Sequence, residues 1–221
     1  MESAVPRIPA GRDPLAGDDA VAVLAAAGRV FDSRGWMMGT VGNLSTRLPD
    51  GTIVVTASGR HKGTLGPDDF VTLDGDGSVR HAPDGAHPSR ETAIHLAIYR
   101  CFPEARSCFH VHSVESSVAA EHAGTSLPLP PLEMLKILGC WDEEPHVELA
   151  VFDNLLDVDA LARSVEERFR ATPPAIPALV VRRHGVTAWG DTAPRARDHV
   201  EAIEHLLRFV ALSSGAGGAP R

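Results

Sequence analysis

Three short strand-like runs in the N-terminal half, at residues 44–47, 53–56 and 70–73, are each bounded by turn-forming residues. Pro49-Asp50-Gly51 separates the first two, a loop from Gly59 to Gly66 lies before the third, and Asp74-Gly75-Asp76-Gly77 closes it. Runs of this length bounded by Gly, Pro and Asp read as strands. The tight connections favour antiparallel pairing, because a parallel crossover needs a dozen or more residues. Whatever this chain folds into must therefore accommodate a meander of antiparallel strands.

The flanking segments switch to helical period. Val23, Leu24, Ala27, Val30 and Phe31 recur at helical spacing over residues 20–34, with Asp18 or Asp19 as a cap and Gly35 as a stop. Thr92, Ile94, His95, Ala97 and Ile98 fit a second helix that Ser89 could cap and that ends before Pro103. A strand at 107–112 follows, then a short helix at 114–122. Next come a proline-rich stretch around Pro128, Pro130 and Pro131 and a helical turn at 133–138. The remainder reads as a strand at 147–152, a helix at 158–169, a strand at 178–181 and a final helix capped by Thr192 with Pro194 just inside. Helices and strands alternate without the strict order of a doubly wound sheet, which predicts a layered α/β domain with a mixed or largely antiparallel sheet.

At 221 residues, with 43% hydrophobic and 23% charged, the chain supports one ordinary core. The net charge of -8 and only two lysines, Lys62 and Lys136, exclude the basic stripe of a nucleic-acid surface and leave room only for local anion pockets. No segment reaches the roughly 20 apolar residues of a membrane span, and no apolar run of secretory length follows Met1. Cys101, Cys108 and Cys140 are odd in number and contain no C-x-x-C, so they suggest neither a disulfide framework nor a thiolate zinc knuckle. A reducing, cytoplasmic setting is expected, with flexible ends at 1–17 and 214–221 around a domain at 18–213.

The chemistry centres on His110-Val111-His112. Alternate residues of a strand share a face, with α-carbons about 6.5 to 7 Å apart, so the two imidazoles can converge on one ion. In a chain with 11 histidines the pair alone does not separate a metal clamp from two strand histidines. A catalytic zinc site takes three protein ligands and keeps a position open. His184 is the best third candidate, because it follows an apolar strand and precedes Gly185, which permits a sharp turn. Its alternative is a loop histidine, exposed or stacked on Trp189.

Two further elements carry possible chemistry. Gly39-Thr40-Val41-Gly42-Asn43-Leu44-Ser45 and Thr56-Ala57-Ser58-Gly59-Arg60-His61-Lys62-Gly63 are glycine-rich turns beside strands. Either they are ordinary hairpin loops, or Asn43, Ser58, Gly59 and Lys62 together hold a phosphate monoester. Glu91, near a helix start, and Glu133, among Leu132, Met134 and Leu135, are candidates for proton transfer.

In combination these pieces become recognisable. Gly42-Asn43-Leu44-Ser45, Thr56-Ala57-Ser58-Gly59, Pro88-Ser89-Arg90-Glu91-Thr92, His110-Val111-His112-Ser113 and Arg183-His184-Gly185, in this order, resemble the class II aldolase/adducin family from about Val21 to Phe209. Lys62-Gly63, Leu132-Glu133-Met134-Leu135-Lys136 and His184-Gly185-Val186 through Trp189-Gly190 are most similar to the sugar-phosphate dehydratases within it. The resemblance implies a three-layer α/β/α sandwich with a mixed, largely antiparallel sheet, a homotetramer, and one Zn2+ per subunit on His110, His112 and His184. It also implies a phosphate pocket from Asn43, Ser58 and Gly59 with Ser89, a small-molecule sugar phosphate as substrate, and no nucleic-acid or membrane partner. Glu133 is then the first candidate for acid/base work, and Glu91 a base or metal-site carboxylate. Two departures stand out: Arg90 occupies a position where the family often has a small residue, and the C-terminal tyrosine that aldolases use as an acid is absent, the only tyrosine being Tyr99. The competing expectations are a sugar-phosphate aldolase or 4-epimerase, and a non-catalytic adducin-like module.

Overall fold

Strand positions in the middle of this chain are buried whichever way they point: all of Ile53–Thr56, Ser107–Val111, Ala178–Val181 and Gly185–Gly190 are buried. A sheet with two apolar faces must be covered on both. The computed structural model describes residues 17–216. Its strands are β1 (Asn43–Arg47), β2 (Ile53–Thr56), β3 (Phe70–Leu73), β4 (Val79–His81), β5 (Ser107–Val111), β6 (Ser126–Pro128), β7 (Glu148–Phe152), β8 (Ala178–Val181) and β9 (Gly185–Gly190). They form one sheet in the order β4-β3-β2-β1-β5-β9-β8-β7-β6. Every pairing is antiparallel except β7 with β8. The helices are α1 (Gly17–Ser33), α2 (Thr92–Cys101), α3 (Val114–Ala120), α4 (Val158–Ala171) and α5 (Ala193–Ala216).

Alternation along β5 divides the helices between the two faces. Phe109 and Val111 pack with Leu24 and Phe31 of α1 and with Val200 and Leu206 of α5. Cys108 points the other way, into a cluster with Ile94 and Ile98 of α2 and Leu161 and Val165 of α4. The result is the expected three-layer α/β/α sandwich around a mixed, largely antiparallel sheet. Each large side chain removed from water in these layers contributes about 1.5 to 3 kcal/mol.

Several boundaries differ from the sequence expectation for local reasons. Asp18 and Asp19 lie within α1 rather than before it. The helix expected to start from Ser89 begins at Thr92, and Ser89 Oγ accepts the Glu91 N–H at 3.3 Å in the turn that leads into it. Thr192 does cap α5, accepting the Arg195 N–H at 3.2 Å. Three strands were not expected. Val79–His81 is an exposed edge with no apolar alternation, Ser126–Pro128 is an edge strand at the opposite end, where proline is tolerated, and Gly185–Gly190 is bracketed by glycines. The final helix continues to Ala216, past the expected tail start at 214, whereas the rest of the segments expected at 1–17 and 214–221 lies outside the described residues. Among the described residues, no helix is long and apolar enough to cross a membrane.

Candidate metal centre

Four segments meet at one end of the sheet. β5 carries His110, its chain continues directly into His112, the turn between β8 and β9 carries His184, and the turn before α2 carries Glu91. His112 sits just past the strand, held by its N–H donating to Trp36 O at 2.8 Å. One ligand atom from each of Glu91, His110, His112 and His184 lies within 4.8 Å of all the others. The ring centroids are 4.7 Å apart for His110 and His112, 5.1 Å for His110 and His184, and 4.6 Å for His112 and His184.

Two glycines let the backbone close this far. A Cβ on Gly185 would stand 2.2 Å from Val111 O and 3.2 Å from His110 Cε1, and a Cβ on Gly42 would stand 2.7 Å from His110 O. Gly185 therefore serves close approach of β9 to β5 rather than the sharp turn expected of it. The left-handed residue of that turn is Arg183, at φ 53°. A non-glycine residue there costs on the order of 1 to 3 kcal/mol, and the bidentate ion pair of Arg183 with Glu121 helps hold it.

The donor set fits a metal. His110 and His112 each have a buried Nε2 with no hydrogen-bond partner, and the buried Nε2 of His184 meets only the Glu91 carboxylate. The two orphaned nitrogens converge with His184 Nε2 on one point and would each be costly unless an ion accepts their lone pairs. Two of the opposite ring nitrogens are occupied, as is usual for metal-ligating histidines. His110 Nδ1 lies 3.0 Å from Thr187 Oγ1, its cross-strand partner, and His184 Nδ1 lies 3.1 Å from Asn154 Oδ1. With Asn154 Oδ1 accepting, His184 carries a proton on Nδ1 and turns its Nε2 towards the cluster.

Electrostatics keep the cluster in ligand form. Burial pushes His110 down to about 4, against the opposing pull of Glu91. Burial and the neighbouring His110 and His184 take His112 to about 3. For Glu91, burial acts upward, but the contact with His184 and the charges of His110, His184 and His112 prevail and hold the carboxyl at about 2. Its Oε1 is 2.6 Å from His184 Nε2 and its Oε2 is 3.8 Å from His110 Nε2. At neutral pH the site thus presents an ionised carboxylate beside the neutral imidazoles of His110 and His112, a combination suited to a divalent cation.

The other expected residues fall into two groups. Asn43 is in register with His110, and both its side-chain polar atoms are buried without a partner. Ser58 and Gly59 are joined to the segment before α2, because Ala57 bridges Pro88 and the Ser58 N–H donates to His87 O at 2.8 Å. Lys62 is fully buried, and its Nζ donates to Thr40 O at 2.6 Å and Arg60 O at 2.7 Å, tying the two glycine-rich turns together. Burial lowers its ammonium to about 8, opposed by Glu91. Ser89 is half-buried at the entry to α2, and Arg90 beside it is exposed. Glu133 stands apart from the cluster. It lies on a short 3-10 turn, its side chain is 84% exposed, and it pairs with Lys136 at 2.8 Å. Sequence reasoning missed Thr187 and Asn154; Thr187 could be found only by knowing that β9 pairs with β5, and nothing local marks Asn154.

A pocket of about 770 Å³ opens beside His112 and His184, with Met38, Val41, Val114 and Val118 forming an apolar wall. Its size is within the usual range for a small-molecule site.

Comparison with known proteins gives a consistent picture. Residues 22–211 match the family model for the class II aldolase and adducin N-terminal domain. The chain is 47% identical over 189 residues to a methylthioribulose-1-phosphate dehydratase of Microcystis aeruginosa, covering 85% of this chain and 92% of that one. It is 38% identical over 193 residues to the protein of the same name in Leptospira biflexa, covering 82% and 91%. Among solved structures, the L-fuculose-1-phosphate aldolase of Thermus thermophilus superposes with a TM-score of 0.72 at 24% identity, over 91% of this chain and 98% of that one.

Proposed function

Because this chain belongs to the class II aldolase and adducin family, we propose that it is a hydro-lyase. It would remove water from 5-methylthioribulose 1-phosphate to give 5-methylthio-2,3-dioxopentyl phosphate, a dehydration of cytoplasmic methionine salvage. The observation that carries the reading is the convergence of three imidazole nitrogens and an ionised carboxylate on one point, in a chain similar along most of its length to dehydratases of that name. The apolar wall of the adjoining pocket supports a substrate with an apolar methylthio end.

His110, His112 and His184 would hold Zn2+, whose Lewis acidity stabilises negative charge developing on the ketone oxygen as the C3 proton leaves. The residues of the chain supply the rest. Asn43, the Ser58-Gly59 turn and Ser89 are assigned to the phosphate, with Lys62 fixing the two turns that frame it. Glu91, held ionised among the imidazoles, is the carboxylate placed to receive a proton within a single subunit. Loss of the C3 proton and of the C4 hydroxyl as water leaves an enol, and its tautomerisation gives the diketone. Glu133 is assigned to protonating the departing hydroxyl. Being exposed and outside its own cluster, it would take this role only in a homotetramer that brings it to a neighbouring subunit's centre.

The test is reconstitution. The purified protein should carry about one zinc per subunit, lose diketone formation on chelation and regain it when zinc is restored. Undiminished turnover after complete metal removal would contradict the proposal.

A further inference from the structure

Among the buried ionisable groups outside the chemistry described so far, one lies next to a metal-ligand segment. Glu204 lies in the middle of α5, only 2% exposed, and has no basic partner. Its Oε2 accepts a hydrogen bond from Ser113 Oγ at 2.5 Å, while its Oε1 has no partner at all. Burial raises its carboxyl to about 8, against the Ser113 hydrogen bond, so it is neutral at pH 7. A buried carboxyl without a counter-charge is a costly thing to keep in a helix that otherwise packs alanine, valine and leucine against the sheet.

Ser113 explains why it matters. This residue directly follows His112, and its Oγ also accepts the Ser116 N–H at 2.9 Å as the N-cap of α3. The hydroxyl therefore has a fixed donor and a fixed acceptor, and the backbone at residue 113 is pinned between α3 and α5. His112 has already left β5 and is otherwise located by its single N–H to Trp36 O. We infer that Glu204 is a positioning residue for the metal centre, fixing through Ser113 the backbone that aims His112 at the ion. This inference rests on the metal reading above and concerns how the ligand is held.

The experiment compares Glu204→Gln, Glu204→Leu and Leu206→Ala in metal titrations of the stripped protein with Co2+, read by the ligand-field absorption of the bound ion, together with thermal melts. Glutamine matches a neutral carboxyl in shape and keeps the acceptor for Ser113, so it should bind Co2+ within about 3-fold of wild type. Leucine leaves the Ser113 hydroxyl without its acceptor and should weaken binding by about 10- to 100-fold, with an altered absorption band, the scale seen when groups that orient ligands are lost. Leu206→Ala, a buried change on the same helix, lowers stability without touching Ser113 and should leave affinity and spectrum unchanged. Wild-type affinity in Glu204→Leu, or an equal loss in Leu206→Ala, overturns the inference alone. A wild-type protein that binds no metal overturns the metal reading together with it.

Discussion

Replacing Gly185 by alanine tests whether the approach of β9 to β5 builds the centre. The added methyl would lie 2.2 Å from Val111 O, 3.1 Å from Val111 C and 3.2 Å from His110 Cε1. Ordinary carbon contacts fall near 3.5 Å, so the strands must part by roughly 1 Å at this point. The methyl meets backbone on one side and a ligand ring on the other, and no flexible side-chain tip can yield instead. Overpacking of this kind costs about 1 to 3 kcal/mol, which for a domain of this size lowers Tm by about 2 to 4 °C per kcal/mol. The same displacement turns the His110 ring away from its position over Thr187 Oγ1, so metal affinity should fall by about 10-fold or more. Differential scanning calorimetry and metal titration measure the two effects. Gly124→Ala is the control, since nothing lies within 4 Å of its added Cβ and its backbone is not left-handed. If Gly185→Ala matches that control in both melting and metal affinity, the close approach is not what shapes the site.

Other expectations follow from the same geometry. Saturating zinc at 100 times its Kd should stabilise the protein by about 2.7 kcal/mol, and a melt that ignores chelation would contradict a native-state metal site. In the metal-free protein, burial holds His95 and His110 at about 4 in the folded state, below their ordinary 6.5. The unfolded chain therefore takes up these protons first, and the stability present above pH 6.5 is lost as pH falls towards 4, on the order of 3 kcal/mol for each ring. Urea midpoints that stay constant across that window would rule this out. Arg182 donates to Ala120 O and Ala123 O at 2.8 Å each. Arg182→Met should thus destabilise by about 1 to 3 kcal/mol through orphaned carbonyls, read as a lower urea midpoint with the unfolding slope unchanged. Glu91→Gln should lose both metal affinity and turnover, while Glu133→Gln should keep metal and lose turnover; full activity in Glu133→Gln removes it from the mechanism.

What the sequence made legible were the pieces with a local signature. The meander, the α1, α2 and α4 periodicities and the His110/His112 spacing all follow from period and turn chemistry within a few residues. β9 escaped because Gly185 and Gly190 bracket it and its small residues look like a loop, although those glycines are what let it pack closely on β5 and α5. β6 escaped because Pro128 reads as a breaker anywhere except on an edge. At the site, the three histidines were visible as candidates, but their convergence depends on β5 lying beside β9, a pairing of residues far apart in sequence. The two glutamates show the limit most clearly. In sequence Glu133, among apolar neighbours, looks the better proton-transfer group, and only the fold puts Glu91 among the imidazoles and leaves Glu133 on the surface. Glu204 gave no sign at all, since a glutamate in the middle of a long helix ordinarily faces water.

The most direct measurement of the central claim is the mass of the product formed from 5-methylthioribulose 1-phosphate by the zinc-loaded protein. Dehydration predicts a single phosphorylated product one water lighter than the substrate and, in heavy water, one solvent deuterium at C4 from tautomerisation of the enol. Two carbon fragments whose masses sum to that of the substrate would instead mean carbon–carbon cleavage at the same three histidines, and the assignment of this centre to water loss would be wrong.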